Sequence, residues 1–580
     1  MSDLRRVFHF ISPYKKEVLL AIIFLGFATI TDLFIPRLVQ VIIDQGVADQ
    51  DMDVILRTSL LMIGASIVSA TLLIANTFYS VKASRSLEAD LREILFKKIQ
   101  TFSFGNLDDL KTGQLLTRLS SDLNQVQLIV TMSLRMFVRA PLMFLGSFGI
   151  MFATNPGLAI VILGLLPFTI VLVLFVVRIV RPIFTQIQER LDTLNQVLQE
   201  NLSGIRVVKA FVRSDYENKR FEKANTELYH IALKMTRYIS SFHPIIIALL
   251  NMGTVAVIYY GGIQVFAGTT SIGQIIAFTN YLFRTMFPLL MLSMMAGQIA
   301  AASASSTRIV EVLDTEPEVK DKPDAIVLDA IQGRVEFKNV SFTYGNNEDG
   351  SVLSDISFIA EPGERVALLG QTGSGKSSLI NLIPRFYDTV RGYVTIDGID
   401  VRDIKMSSLR SHIGISPQEA ILFSGTIRDN IRYGDPDATD EEVIKAAKAS
   451  QAHEFITSFP GGYDAILGQR GINLSGGQRQ RLAIARALLL KPKILILDDS
   501  TSAVDIETEV EIENALEALM DDTTSFIVAQ RISTILKADK ILVLDNGRIA
   551  AEGNHKELMD TSPIYREIYD SQLGDEGGAA

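Results

Sequence analysis

At 580 residues the chain is longer than one domain usually is, and 48% of it is hydrophobic with a mean hydropathy of +0.27, which disfavours a wholly soluble protein. A net charge of −10 with no conspicuous basic stretch argues against a nucleic-acid binder, so no nucleic acid is expected as a partner. The lack of cysteine excludes a disulfide framework and any thiolate metal site.

Met1 to Lys16 is charged and lacks an A-x-A-like site, so no cleavable signal is expected and the apolar segments should remain in the protein. The first apolar segments run from about Val18 to Ile43 and from about Thr58 to Tyr79. Two later runs, Ala140 to Val177 and Pro244 to Phe283, contain no Asp, Glu, Lys or Arg. A crossing needs roughly 20 apolar residues, so each run suits two helices. Turn signals lie inside each run, at Asn155-Pro156-Gly157 and at Ala267-Gly268-Thr269-Thr270. Six spans are therefore predicted, the last from near Ile272 past Arg284 toward Ala300.

Charge near the spans gives an orientation. Arg5, Arg6, Lys15 and Lys16 precede the first span, Lys82, Arg85, Lys97, Lys98 and Lys111 follow the second, and Arg178, Arg181 and Arg206 follow the fourth. The opposite loops, around Asp44 to Asp53, Thr154 to Gly157 and Gly268 to Gly273, carry no Lys or Arg, so both termini are expected in the cytoplasm. Val81 to Arg139 and Arg178 to Ser240 are charged and nearly free of Gly and Pro, which predicts helices continuing well beyond the bilayer. Asp32 and Arg37 within the first span would be costly in lipid and should face protein or a water-filled cavity, unless Arg37 lies near an interface. Aromatic residues of the spans, Phe78, Tyr79, Phe242, Tyr259, Tyr260, Tyr281 and Phe283, are candidates for a cavity lining, though packing or lipid contact is the commoner use of such residues.

From Asp314 the texture changes. TEPEVKDKPD is an acidic, Pro-containing linker, and after Val335 short β-branched runs alternate with helical stretches. The expected organisation is a helical transmembrane domain over 1–313, a linker over 314–331, an α/β domain over 332–574, whose motifs below mark it as nucleotide-binding, and a polar tail over 575–580.

Gly370-Gln371-Thr372-Gly373-Ser374-Gly375-Lys376-Ser377 fits G-x-x-x-x-G-K-[ST], follows the strand-like RVALLG and precedes the helix-like SSLINLI, which contains Ser378. Its glycines let backbone N–H groups approach phosphate oxygens, and the helix N-terminus adds its positive dipole end. Lys376 would reach the β- and γ-phosphates of ATP, and Ser377 would bind Mg²⁺. Ile494 to Leu497 is a buried-strand run ending in Asp498, a carboxylate that would hold Mg²⁺ through water.

Leu474-Ser475-Gly476-Gly477-Gln478 lies between these motifs. With six spans followed by one P-loop domain, the chain resembles an ATP-binding cassette exporter over nearly its whole length. The resemblance implies that Ser475, Gly476, Gly477 and Gln478 close over ATP bound to a second nucleotide domain. It implies an adenine-stacking role for Tyr344, nucleotide contacts from the P-loop through Ser378, Mg²⁺ sensing by Gln418 and a cross-domain role for Asp505. TGQLLTRLSSDLNQV (Thr112 to Val126) and GIRVVKAF (Gly204 to Phe211) resemble intracellular loops that couple the two halves.

Three positions depart from the family pattern. Asp499 stands where a catalytic Glu is usual, one methylene shorter for a base that acts only within hydrogen-bond reach. Gln530 stands where a switch His is usual and cannot carry a proton at neutral pH. Gln469, upstream of the signature, stands where exporters commonly have Glu. The resulting expectation is a half-transporter that pairs with a different chain and binds ATP at a slowly hydrolysing site. It would export small hydrophobic or amphipathic, drug- or lipid-like compounds from a plasma membrane, in contact with membrane lipid. An active homodimer and an ATP-gated regulatory subunit are the alternatives.

Overall fold

The computed structural model describes residues 2–294, 296–345, 350–519, 522–529 and 532–573. It forms two compact units, Met1–Gln100 with Thr112–Thr315, and Thr101–Lys111 with Glu316–Ala580.

The first unit is helical. Among the described residues, five stretches are long and apolar enough to cross a membrane: Ser12–Val47, Met52–Gln100, Thr112–Thr154, Pro156–Ser203 and Ser214–Phe266. The sixth predicted span falls on the 23-residue helix Ile272–Met294. Helices of 48, 49 and 53 residues exceed the roughly 20 needed to cross, so they extend well past a bilayer, as their charged ends predict. The predicted reversals are found. Asn155 caps the helix Pro156–Ser203 by accepting the N–H of Leu158 at 3.1 Å, and Pro156 occupies the first turn, where its missing donor is harmless. The Asn155 amide also donates to Gln264 Oε1 at 2.6 Å and Thr270 Oγ1 at 2.7 Å, tying the two turns together. Gly268 takes the left-handed conformation that the second turn requires, at φ +72°.

Asp32 is buried and paired. Its carboxylate accepts from Ser69 Oγ at 2.6 Å and from the Arg139 guanidinium at 2.8 Å. Arg37 is exposed and donates to Gln40 Oε1 at 2.6 Å; Gln40 in turn donates to Asp44, which accepts the Gly273 N–H at 2.8 Å. Of the aromatic candidates, Tyr281 and Phe242 are buried in packing, with the Tyr281 hydroxyl donating to the Leu33 carbonyl at 2.8 Å. Tyr79 stacks on Phe24, whereas Phe78, Tyr259, Tyr260 and Phe283 are exposed in this chain.

The second unit is α/β. Its strands are β1 Val335–Phe342, β2 Leu353–Ala360, β3 Arg365–Leu369, β4 Arg391–Ile396, β5 Ile399–Asp400, β6 Ile413–Ser416, β7 Gly425–Thr426, β8 Ile466–Leu467, β9 Ile494–Asp498, β10 Thr524–Val528, β11 Lys540–Asp545 and β12 Arg548–Gly553. They form a six-stranded sheet in the order β12-β11-β3-β10-β9-β6, a four-stranded antiparallel sheet β2-β1-β4-β5 and the small pair β7-β8. Neighbours from β11 through β6 pair in parallel, and β9 and β10 are nearly all buried, which accounts for their unbroken apolar runs. The main core lies between the two larger sheets, with Phe337, Phe358 and Phe526 among its largest side chains.

Thr101–Lys111 packs as part of this second unit. Its helix Phe104–Asp109 stacks Phe104 on Phe386 with ring centroids 4.2 Å apart, and Tyr387 donates to Asp108 at 2.7 Å. Asn106 is buried, donates to the Glu316 carbonyl and accepts the Glu318 N–H, each at 3.1 Å. The short helix held against the nucleotide unit thus lies just upstream of the stretch Thr112 to Val126 singled out from the sequence. The second stretch contains the short helix Ile205–Ala210.

Removing one partner of a buried pair leaves the other charge uncompensated. Arg139→Ala is expected to lower the melting temperature in lipid nanodiscs by roughly 5 °C or more, and Asp32→Asn by less, because a long Arg side chain can reorient toward water. Negligible shifts in both variants would mean that the pair contributes little.

Candidate functional site

The motifs meet because parallel strands end on one edge of the sheet, where open α/β sheets bind ligands. In register, Val528 of β10 lies beside Leu368 of β3 and Asp498 of β9. β3 therefore delivers the P-loop, β9 delivers Asp498 and Asp499, and β6 delivers Ser416 and then Gln418 to the same edge.

The P-loop is a backbone cradle with an exposed tip at Gln371, Thr372 and Gly373. A Cβ on Gly370 (φ +152°) would lie 2.3 Å from the Leu544 carbonyl oxygen, and one on Gly375 (φ +100°) 2.6 Å from the Leu353 side chain. Only glycine fits either place. Lys376 Nζ donates to the carbonyls of Gly370 at 2.8 Å and Gln371 at 2.9 Å. Its pKa is lowered by burial, which the charges of Asp498 and Asp499 oppose.

Ser377 Oγ donates to Asp498 Oδ1 at 3.2 Å, bringing the two expected Mg²⁺ ligands together. Burial raises the Asp498 pKa, the expected behaviour of a carboxylate lacking sufficient positive charge nearby. A divalent cation supplies that charge, so this pair suits Mg²⁺. The hydroxyls of Ser374 after β3, Ser416 at the end of β6 and Ser500 after β9 are buried without a hydrogen-bond partner among the described residues. A polar ligand at this edge is consistent with those unmet groups.

Tyr344 is partly exposed, its hydroxyl 2.9 Å from Ser378 Oγ and its ring edge-on to Tyr387 at 5.2 Å. Gln418 reaches Asp499 with Nε2 to Oδ2 at 3.4 Å. Asp499 adopts φ +48° and donates its N–H to the Val528 carbonyl at 3.0 Å, so its backbone is pinned where the strand ends. Gln530 lies outside the described residues.

The signature forms the start of the helix Gly476–Leu489, with Ser475 as cap: the Gln478 N–H donates to Ser475 Oγ, and the Ser475 N–H to Gln478 Oε1. Gly477 admits the loop after Asp499, since a Cβ there would lie 2.8 Å from the Ala503 carbonyl oxygen. Gln480, which sequence reasoning missed, locks that approach. It accepts the Ala503 N–H at 2.9 Å and donates to Ser502 Oγ at 3.2 Å and the Asp499 carbonyl at 3.4 Å. Its only sequence signal is a second Gln in GGQRQR. Asp505 caps the helix Ile506–Leu519 through Thr508, and that bonding lowers its pKa. Gln469 sits exposed in the turn Gln469–Gly471.

Family comparison matches residues 18–289 to the family described as ABC transporter transmembrane region and residues 353–502 to the family described as ABC transporter. The chain is 40% identical over 574 residues to the uncharacterized ABC transporter ATP-binding protein YfiB of Bacillus subtilis (strain 168), covering 99% of each. It is 38% identical over 488 residues to the ATP-dependent lipid A-core flippase of Syntrophus aciditrophicus (strain SB), covering 84% of this chain and 81% of the relative. A bacterial Atm1-family ABC exporter with ATP bound is similar in structure, with a TM-score of 0.78, 28% identity and coverage of 96% of this chain and 98% of that one.

Glu513, one turn beyond the buried Glu509, has its carboxyl raised from 4.5 to about 7 by burial and then by the Glu509 charge. A carboxyl with a raised folded-state pKa binds more protons folded than unfolded between these values, so stability falls as pH rises through that window. Glu513→Gln is expected to remove this dependence and to raise stability at pH 8 by on the order of 1 kcal/mol, since the partly exposed carboxylate is screened by water. Thermal unfolding of the full chain from pH 5 to 8 checks it; parallel profiles for the two proteins would contradict it.

Proposed function

Since the chain belongs to the ABC transporter family as an integral membrane exporter whose ATPase domain binds ATP with Mg²⁺ and couples hydrolysis to export, we propose that it is the slowly hydrolysing half of a two-chain exporter. In this reading the cargo is a hydrophobic or amphipathic, drug- or lipid-like compound, carried outward from the cytoplasm or inner leaflet by alternating access. Two flippase relatives, one aligned over 98% of this chain, support the lipid-like end of that range. The asymmetry of Lys and Arg around the spans supports an orientation with the nucleotide domain and both termini in the cytoplasm, the membrane being a plasma membrane in this reading.

The residue roles follow the site's geometry. Lys376 and the P-loop backbone hold the phosphates, Tyr344 stacks on the base, and Ser377, Asp498 and Gln418 surround Mg²⁺. Ser475 to Gln478 complete the site of a second nucleotide domain. Asp499 orients the attacking water, and it does so poorly.

One observation carries the slow-site reading: the Asp499 backbone is fixed by its bond to Val528 and by Gln480 on its carbonyl, so the main chain is poorly placed to move forward and compensate for the missing methylene. A partner chain with the usual Glu and His would carry most of the turnover, using the intact signature of this one.

Asp499→Glu combined with Gln530→His tests this in the full chain. ATP turnover is expected to rise about 100-fold, within the range associated with a positioned general base, with little change in ATP affinity. Unchanged turnover would mean that Asp499 suffices and that the chain works as a homodimer.

A further inference from the structure

The ladder between β9 and β10 ends at Asp498 opposite Val528, with the Asp499 N–H to Val528 carbonyl bond just beyond it. Past that point two segments leave the sheet, and both are chemically important in the slow-site reading. One carries Asp499 and continues through Thr501; the other carries Gln530 and continues through Thr534. Beyond Asp498 and Val528, no strand pairing joins the described residues of the two segments.

Glu509 sits between them. It lies in the first turn of the helix Ile506–Leu519 and is only 4% exposed. Thr501 Oγ1 donates to Glu509 Oε1 at 2.7 Å, and Thr534 Oγ1 donates to the same oxygen at 2.9 Å. One carboxylate oxygen thus accepts a hydroxyl from each segment. Ionised Glu is acceptor-only, and bonds to an ionised acceptor are shorter and stronger than neutral ones. A buried carboxylate is stabilised by hydrogen-bond donors, and each threonine supplies one to the same oxygen.

We propose that Glu509 is a positioning residue for ATP hydrolysis, clamping the segment that bears Asp499 to the segment that bears Gln530. It touches neither nucleotide nor water in this role. Gln480 supplies a separate anchor from the signature helix on the Asp499 side, through the Asp499 carbonyl and Ser502. The clamp therefore controls the relative placement of the two segments more than the placement of either alone. Lys376, Ser377 and Tyr344 lie on other elements, so nucleotide affinity is independent of it. The catalytic consequence rests on the reading of Asp499 and Gln530 as hydrolytic positions, whereas the clamp itself does not.

Hydrogen–deuterium exchange of the full chain in nanodiscs with Mg·ATP, paired with single-turnover hydrolysis using excess protein, tests both parts. In Glu509→Ala, amides of 499–505 and 532–536 are expected to exchange about tenfold faster, while the P-loop and β9 are unchanged. Single-turnover hydrolysis should fall about tenfold or more, with ATP affinity within about threefold of the parent. Glu509→Gln retains an acceptor oxygen and should recover most of both readouts. Thr501→Val and Thr534→Val, milder changes that serve if Glu509→Ala fails to fold, should each loosen the segment they belong to.

Uniformly faster exchange across the domain would overturn the clamp in favour of a general packing role, as would unchanged exchange in either segment. Loosened segments with an undiminished rate would overturn the catalytic part. Asp499→Asn, measured alongside, separates the underlying reading: a full rate there removes the hydrolytic assignment, while the exchange results still decide the clamp.

Discussion

The strand Ile494–Asp498 is gripped on both sides by parallel neighbours, β6 and β10, and β10 is in turn gripped by β3. This register is the constraint on which the site depends. It brings to one sheet edge the P-loop, Asp498 with Asp499, and the segment leading to Gln418, although these are separated by scores of residues in the chain. Buried apolar runs enforce it, because a one-residue slip in β9 would exchange the side chains facing the two sides of the sheet. The site's chemistry is thus set where the ladder stops, and the side-chain ties to Gln418, Gln480 and Glu509 act beyond it.

Much of this was legible in the sequence because it is encoded locally. The P-loop combines a spacing with a strand before it and a helix after it, and its glycines occupy positions where a Cβ would strike neighbouring atoms. The Asn155-Pro156-Gly157 turn was readable because capping and proline geometry act within a few residues. Long uncharged runs declared the spans, since a bilayer interior tolerates little else.

What escaped the sequence is long-range pairing. Nothing near Asp32 names Arg139, 107 residues away, as its partner. Gln480 and Glu509 read as ordinary helix residues until the fold places them against the loop after Asp499. The helix Phe104–Asp109 was missed because six residues give too little periodicity, and its apolar anchor Phe104 acquires meaning only against Phe386. The stretch chosen instead, Thr112 to Val126, is amphipathic and belongs to the membrane unit.

In the proposed reading, an ATP site that keeps its binding residues adjoins a base that is one methylene short and held from behind. The central claim of that reading is best tested by Mg²⁺-dependent ATP turnover of this chain purified alone in lipid, beside an ATP-binding assay and a Lys376→Ala control. Retained ATP binding with little turnover, and loss of that binding in Lys376→Ala, is the result the account predicts. Robust turnover that disappears with Lys376 would contradict it, showing that Asp499 is an adequate base and that two copies of this chain suffice.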